Sequence, residues 1–126
     1  MSVFSFSKTD EVWGLNRATT RGMIDWWIEQ AGPRPYLLRI RESYEHGYNH
    51  GDLTVVTDDD KAGLRDLVMR MLETGYERNV HEDDQASAQI RESIHKLWHL
   101  LNADLEGTHY YQTPSQEDRQ SRRTDG

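Results

Sequence analysis

Apolar residues recur at helical spacing in the second half of the chain. Leu64, Leu67 and Met71 lie three or four positions apart, so they fall on one face of a helix. Thr57 precedes this stripe and can accept a hydrogen bond from a free backbone N–H group, and Gly75 follows the stripe. The pattern predicts a helix that begins after Thr57 and ends at Gly75.

A longer stripe of apolar residues predicts the last helix. An acidic segment that starts at His81 precedes it, and acidic side chains are favourable at the positive end of a helix. Gly107 is placed to end this helix, because glycine readily adopts the left-handed backbone of a C-terminal cap. The apolar positions of the stripe are Ala86, Ile90, Ile94, Leu97, Leu101 and Leu105.

The first part of the chain begins with a strand-like pattern and continues with a helical one. Residues 3–7 alternate between apolar and polar side chains, which predicts a first strand. Residues 8–16 are interpreted as a loop. A helix is then predicted from Thr19 or Thr20, either of which can cap it, to Gly32.

The following segment is interpreted as a hairpin. In residues 36–44 every second side chain from Tyr36 to Ile40 is apolar, which predicts a second strand. Residues 46–52 contain the glycines and asparagine typical of a connecting loop. Residues 53–57 include β-branched side chains and predict a third strand.

These elements predict one α+β domain over residues 1–111. Their order is β-α-β-β-α-α, which predicts a small antiparallel or mixed three-stranded sheet covered on one face by three helices. A chain of 126 residues suits a single core. Residues 112–126 contain no large apolar side chain, so we expect a disordered polar tail there.

The composition limits the cellular compartment and the kind of partner that we expect for this chain. The chain has no cysteine, which excludes disulfides and thiolate chemistry. It has no apolar run of the roughly 18–20 residues that cross a bilayer, and its N-terminus lacks the features of a secretion signal, so we expect a cytoplasmic protein. The net charge of −7 disfavours nucleic-acid and anionic-membrane binding and favours a basic protein partner.

Aromatic and acidic residues are the candidate contacts with that partner. Trp26 lies off the apolar stripe of its helix, and tryptophan and tyrosine are enriched at interface hot spots. Two acidic runs begin predicted helices and could also present charge to a basic surface. The candidate partner-binding residues are Trp26, Tyr48, Asp58, Asp59, Asp60, Glu82, Asp83 and Asp84.

Histidines suggest an alternative site for a metal ion. One group lies in the loop between the predicted strands, and a second consists of two histidines four residues apart on the last helix. Lys96 stands where a metalloprotease helix carries its catalytic glutamate, which counts against that chemistry. These alternative metal ligands are His46, His50, Asp52, His95 and His99, and the preferred hypothesis includes neither a metal nor another cofactor.

The chain shows no motif of a known catalytic class, such as a glycine-rich phosphate loop or a nucleophile elbow. The preferred hypothesis is a small acidic, non-catalytic protein-binding module that masks a basic surface, of the inhibitor, antitoxin, immunity or anti-defence type. The alternatives are a metal-dependent hydrolase or nuclease that uses the histidines, and a structural subunit of a larger assembly. The oligomeric state is left open.

Overall fold

Three short strands form one mixed sheet in the computed structural model, which describes residues 2–6, 12–46, 50–80 and 83–107. Strand β1 spans Ser2–Ser5, β2 spans Trp13–Leu15 and β3 spans His50–Asp52. β1 lies in the middle, antiparallel to β2 and parallel to β3. Its Phe4 is opposite Trp13 on one side and Gly51 on the other.

The described helices make up most of the remaining chain. They are α1 (Arg17–Ala31), α2 (Pro35–Glu45), α3 (Asp58–Thr74), α4 (Glu77–Val80) and α5 (Asp84–Glu106), with a 3₁₀ turn at Leu53–Val55. The predicted α+β class and the small three-stranded sheet are confirmed. The predicted order β-α-β-β-α-α is wrong, because the described elements run β-β-α-α-β-α-α-α apart from the 3₁₀ turn.

The segment predicted as the clearest strand, residues 36–44, is helix α2. Its alternation ends at Glu42, whereas Tyr36, Leu37, Ile40 and Tyr44 share one side of a helix and are buried. Pro35 occupies the first helical turn, where its fixed backbone angle and missing N–H group do no harm. This short apolar run fits the period of a strand as well as that of a helix. In the structure the segment is helical and packs against α1.

The predicted hairpin is also wrong. Residues 53–57 begin with the 3₁₀ turn, and the strand lies earlier, in the segment predicted as a loop. The carboxylate of Asp52 accepts a hydrogen bond from the backbone N–H of Thr54 at 3.0 Å, which stabilises the turn directly after the strand. β3 pairs with β1 through a crossover that contains α1 and α2.

Predicted helix boundaries in the second half of the chain agree closely with the structure. Thr57 caps α3, and Gly75 ends it with a left-handed backbone. Gly107 ends α5 in the same way. The first helix begins earlier than predicted, because the side chain of Asn16 accepts a hydrogen bond from the backbone N–H of Thr19 at 2.8 Å.

Large aromatic side chains join the sheet to the helices. Phe4 is fully buried, with its ring centroid 5.1 Å from that of Trp13 and 6.3 Å from that of Trp27 on α1. The indole N–H of Trp13 donates a hydrogen bond to the carbonyl oxygen of Ser93 on α5 at 2.7 Å. The sheet is thereby fixed to both α1 and α5.

Helices α3 and α5 pack antiparallel. A buried ion pair joins the start of α3 to the end of α5, with Lys61 Nζ 2.6 Å from Asp104 Oδ2. One turn further along α3, Arg65 donates a hydrogen bond to the side chain of Asn102 at 2.9 Å. These contacts determine which residues of α3 remain available at the surface.

Candidate functional site

The first turn of α3 carries three consecutive carboxylates. Thr57 accepts a hydrogen bond from the backbone N–H of Asp60 at 3.2 Å and so begins the helix. Asp58 and Asp59 are exposed and Asp60 is half-buried. Negative side chains are favourable at this end because the free N–H groups and the helix dipole are positive there.

Lys61 does not compensate this charge at the surface, although it follows the run directly. Its side chain is only 2% exposed, and it pairs with Asp104, whose side chain is fully buried. The next basic residue, Arg65, is engaged with Asn102. Both cations of this half of α3 therefore contact α5.

Charged residues on α1 and α2 behave differently, because they pair with one another. Arg21 lies 3.8 Å from Asp25 and 3.5 Å from Glu45, and Arg41 lies 3.8 Å from Asp25. On the first half of α3, by contrast, no ion pair within the described part of the chain involves Asp58, Asp59, Asp60 or Asp66. Carboxylates that form no ion pair with a described residue are thus concentrated on that half of α3.

A cleft of about 350 Å³ lies between the C-terminal end of α1 and the first half of α3, and we call it the α1–α3 cleft. Along α3 it is lined by Asp59, Gly63 and Asp66, which share one side of the helix because they are four and three residues apart. Asp60 also lines it. The opposite wall includes Ala31, Arg34 and Tyr36.

Tyr36 brings a polar group to the floor of the α1–α3 cleft. Its side chain is 5% exposed, and a Cβ atom added to Gly63 would lie 3.7 Å from its hydroxyl oxygen. This hydroxyl makes no hydrogen bond within the described part of the chain. Burial and, to a smaller extent, the nearby carboxylate of Asp60 raise the pKa of Tyr36 to about 12, and Arg34 opposes the increase.

A second groove, of about 300 Å³, lies between α2 and residues 52–56, and we call it the α2–β3 groove. His46 and Asp52, two of the alternative metal ligands, both line it. The carboxylate of Asp52 is engaged in capping the 3₁₀ turn. Val55, which is 65% exposed, also lines it.

The other alternative metal ligands lie elsewhere. His95 and His99 are exposed on α5, and the ring of His99 makes an edge contact with Trp98 at a centroid distance of 5.1 Å. For His50 the structure describes the backbone in β3 and not the side chain. Among the side chains that are described, no three His, Asp or Glu residues form a group that could hold a metal ion.

The two acidic runs do not form one patch. Because α3 and α5 are antiparallel, Asp58–Asp60 and Asp83–Asp84 lie at opposite ends of α3, whose 17 residues make that separation roughly 25 Å. Asp83 caps α5 by accepting a hydrogen bond from the backbone N–H of Ala86 at 2.8 Å. The predicted contacts Tyr48 and Glu82 lie outside the described residues.

Trp26 is half-buried and packs against the core. Its ring makes an edge contact with Tyr76 at a centroid distance of 5.6 Å. It lies one helical turn before Gln30, which lines the α1–α3 cleft. The tryptophan and the cleft therefore belong to the same side of α1.

Sequence patterns did not single out Tyr36, Gly63 or Asp66. The sequence pattern predicts a strand at Tyr36, and nothing in it connects this residue with the predicted helix that starts at Asp58. The spacing of Asp59, Gly63 and Asp66 is visible in the sequence and places them on one helical face. The element opposite that face is known only from the tertiary structure.

Comparison with protein-family models, with curated proteins and with solved structures finds no match for this chain. None of the described helices is long and apolar enough to cross a membrane. The function is therefore inferred from the geometry and charge of the described residues.

Proposed function

We propose that this protein is a small acidic, non-catalytic module of the cytoplasm that binds and masks a basic surface on a protein partner, in the manner of an inhibitor, antitoxin, immunity or anti-defence protein. The observation that carries the proposal is the group of carboxylates without an ion pair on the first half of α3. There Asp58, Asp59, Asp60 and Asp66 form no ion pair within the described residues, while Lys61 is buried.

Such a surface has a clear physical advantage in binding a basic partner. Complementary charge accelerates encounter and disfavours acidic competitors, and the whole chain adds to the attraction with its net charge of −7. Trp26 lies one helical turn before Gln30, a residue of the α1–α3 cleft, and tryptophan is enriched among residues that dominate binding energy. Charge thus favours a basic partner, and the tryptophan supplies apolar contact.

The test is affinity capture from native cells with the full chain as bait, followed by measurement of binding to the purified partner. The informative variant is Asp59→Asn/Asp66→Asn, which removes two negative charges from the first half of α3. Its matched control is Glu73→Gln/Glu92→Gln, which removes two exposed charges that form no ion pair within the described residues. A chain truncated after residue 111 tests the predicted tail.

We expect the control to bind like the wild type, and the Asp59/Asp66 variant to bind more weakly and with a smaller dependence on salt. The partner should carry a basic surface and lose its activity when bound. Equal affinity and equal salt dependence for both variants would refute the assignment to α3. A partner that is captured only through the tail would also refute it.

A further inference from the structure

We propose that the α1–α3 cleft receives the side chain of a single arginine of the partner, with its guanidinium group between Asp59 and Asp66 and above the hydroxyl of Tyr36. This inference rests on the proposed function, because it names the chemical group of the basic partner that the cleft recognises.

The arrangement of α3 suits a planar cation. Asp59 and Asp66 are seven residues apart, which is about 10 Å along the helix axis. Gly63 lies between them and has no side chain, so the space above the helix at this point remains open. A guanidinium group placed there is within reach of carboxylates on two sides.

The floor of the cleft offers an acceptor that lacks a partner. Tyr36 is more than nine-tenths buried, and its hydroxyl makes no hydrogen bond within the described residues. This hydroxyl is not one of the buried atoms without a partner, so it reaches the solvent of the cleft and can accept a hydrogen bond from a group that enters there. An N–H donor entering between the carboxylates would supply that hydrogen bond.

The charge around this hydroxyl favours a cation over an anion. Arg34 and Arg70 also line the cleft, but Arg34 already donates from Nε to the carbonyl oxygen of Ala31 at 3.2 Å. At the Tyr36 oxygen, the effect of Asp60 exceeds that of Arg34. The lining also holds three carboxylates, those of Asp59, Asp60 and Asp66, and only two guanidinium groups, so a positive group gains more from this position than a negative one.

Arginine fits better than lysine. Its guanidinium is planar, carries five N–H donors and is more weakly hydrated than an ammonium group, so it can contact several acceptors at once. Ala31 and Leu67 provide apolar surface for the aliphatic part of the side chain. The volume of about 350 Å³ is at the lower end of the roughly 300–1,000 Å³ of small-molecule sites, which suits one side chain.

The test is an NMR titration of the full chain at low ionic strength with N-acetyl-arginine methylamide. The matched probes are the lysine derivative and the citrulline derivative, which keeps the shape of arginine without its charge. We expect saturable shifts of the Gly63 and Leu67 amide signals with arginine, weaker binding of lysine and no saturation with citrulline. In Tyr36→Phe the arginine affinity should fall roughly tenfold, as expected for loss of a hydrogen bond to a charged group.

A second variant, Gly63→Gln, separates binding from folding. Its side chain fills the cleft, so arginine binding should be lost, while thermal stability should stay equal or rise because glycine is a poor helix former. Glu73→Gln should bind arginine like the wild type. Equal shifts with all three probes, or unchanged arginine affinity in both cleft variants, would overturn the inference.

This outcome is distinguishable from failure of the proposed function. A partner that requires Asp59 and Asp66, combined with no arginine binding, refutes the arginine cleft alone. Arginine binding combined with a partner that is insensitive to the α3 charges refutes the proposed partner surface instead.

Discussion

Replacing Asp104 with leucine removes the counter-charge of a buried ammonium group. Leucine has the same branching as aspartate, so the change alters charge more than shape. Lys61 is 2% exposed and its Nζ lies 2.6 Å from Asp104 Oδ2, which leaves the cation little access to water once its partner is gone. The reciprocal change, Lys61→Met, leaves the carboxylate of Asp104 buried.

The expected magnitude follows from this burial. Removing one member of a buried ion pair destabilises a protein by about 3–5 kcal/mol, compared with about 0–1 kcal/mol for a pair at the surface. A domain with a total stability of roughly 5–15 kcal/mol would lose a large part of it. The double variant Lys61→Met/Asp104→Leu should be near neutral or more stable than the wild type, because no uncompensated charge remains.

The assay is urea denaturation of all four proteins, monitored by tryptophan fluorescence and by circular dichroism. With a slope of about 2 kcal/mol per M, a loss of about 4 kcal/mol lowers the midpoint by roughly 2 M. The double-mutant cycle then isolates the coupling between the two residues. Coincident transitions from both probes would justify two-state treatment.

Two results would refute this reasoning. Single variants that lose less than about 1 kcal/mol would mean that the pair is solvated in solution. A double variant that is destabilised as much as the singles combined would mean that packing, and not the uncompensated charge, sets the loss.

Three further predictions concern backbone packing, titration and capping. Gly51→Ala should destabilise the fold by about 1–3 kcal/mol in urea melts, because its Cβ would lie 2.5 Å from the Phe4 ring; a neutral effect would contradict the close packing of β3 on β1. Titration followed by tyrosinate absorbance should show a phenol that ionises near pH 12 and is absent in Tyr36→Phe. Since the folded protein holds this proton more tightly than the unfolded chain, the stabilisation is complete below a pH of about 10 and is lost as the pH rises through about 12. Thr57→Ala should lower stability by about 0.5–2 kcal/mol through loss of the hydrogen bond to Asp60, whereas Thr57→Ser should retain most of it.

Helices α3 and α5 were predictable because several local signals agree in them. A capping side chain, an apolar stripe and a terminal glycine all indicate the same boundaries. Residues 36–44 lack that agreement, since their few apolar positions fit both periods and Pro35 is compatible with a strand or a helix. In the structure these residues form a helix, which buries Tyr36 and Tyr44 in the core.

The candidate site also combines features that local sequence signals predict with features that depend on tertiary packing. The sequence predicts that a helix begins at Asp58–Asp60, because helix capping is a local interaction. That Lys61 is withdrawn into the interior depends on Asp104, which is 43 residues away in the chain. The position of the Tyr36 hydroxyl in the cleft likewise depends on how α2 packs beside α3. No local sequence pattern predicts that packing.

The parallel pairing of β1 with β3 has a consequence for the course of folding. Val3 pairs with His50, 47 residues later in the chain, whereas the contacts within each helix are local. Closing so long a loop is entropically unfavourable until other contacts hold the ends together, so the β1–β3 pairing should form after the helices and after the β1–β2 pairing, in which Phe4 and Trp13 are only nine residues apart. During synthesis β1 can pair with β3 only after α1 and α2 have been made. The parallel pairing is therefore the last part of the sheet to form, and hydrogen exchange during refolding should show β3 protected after β1 and β2.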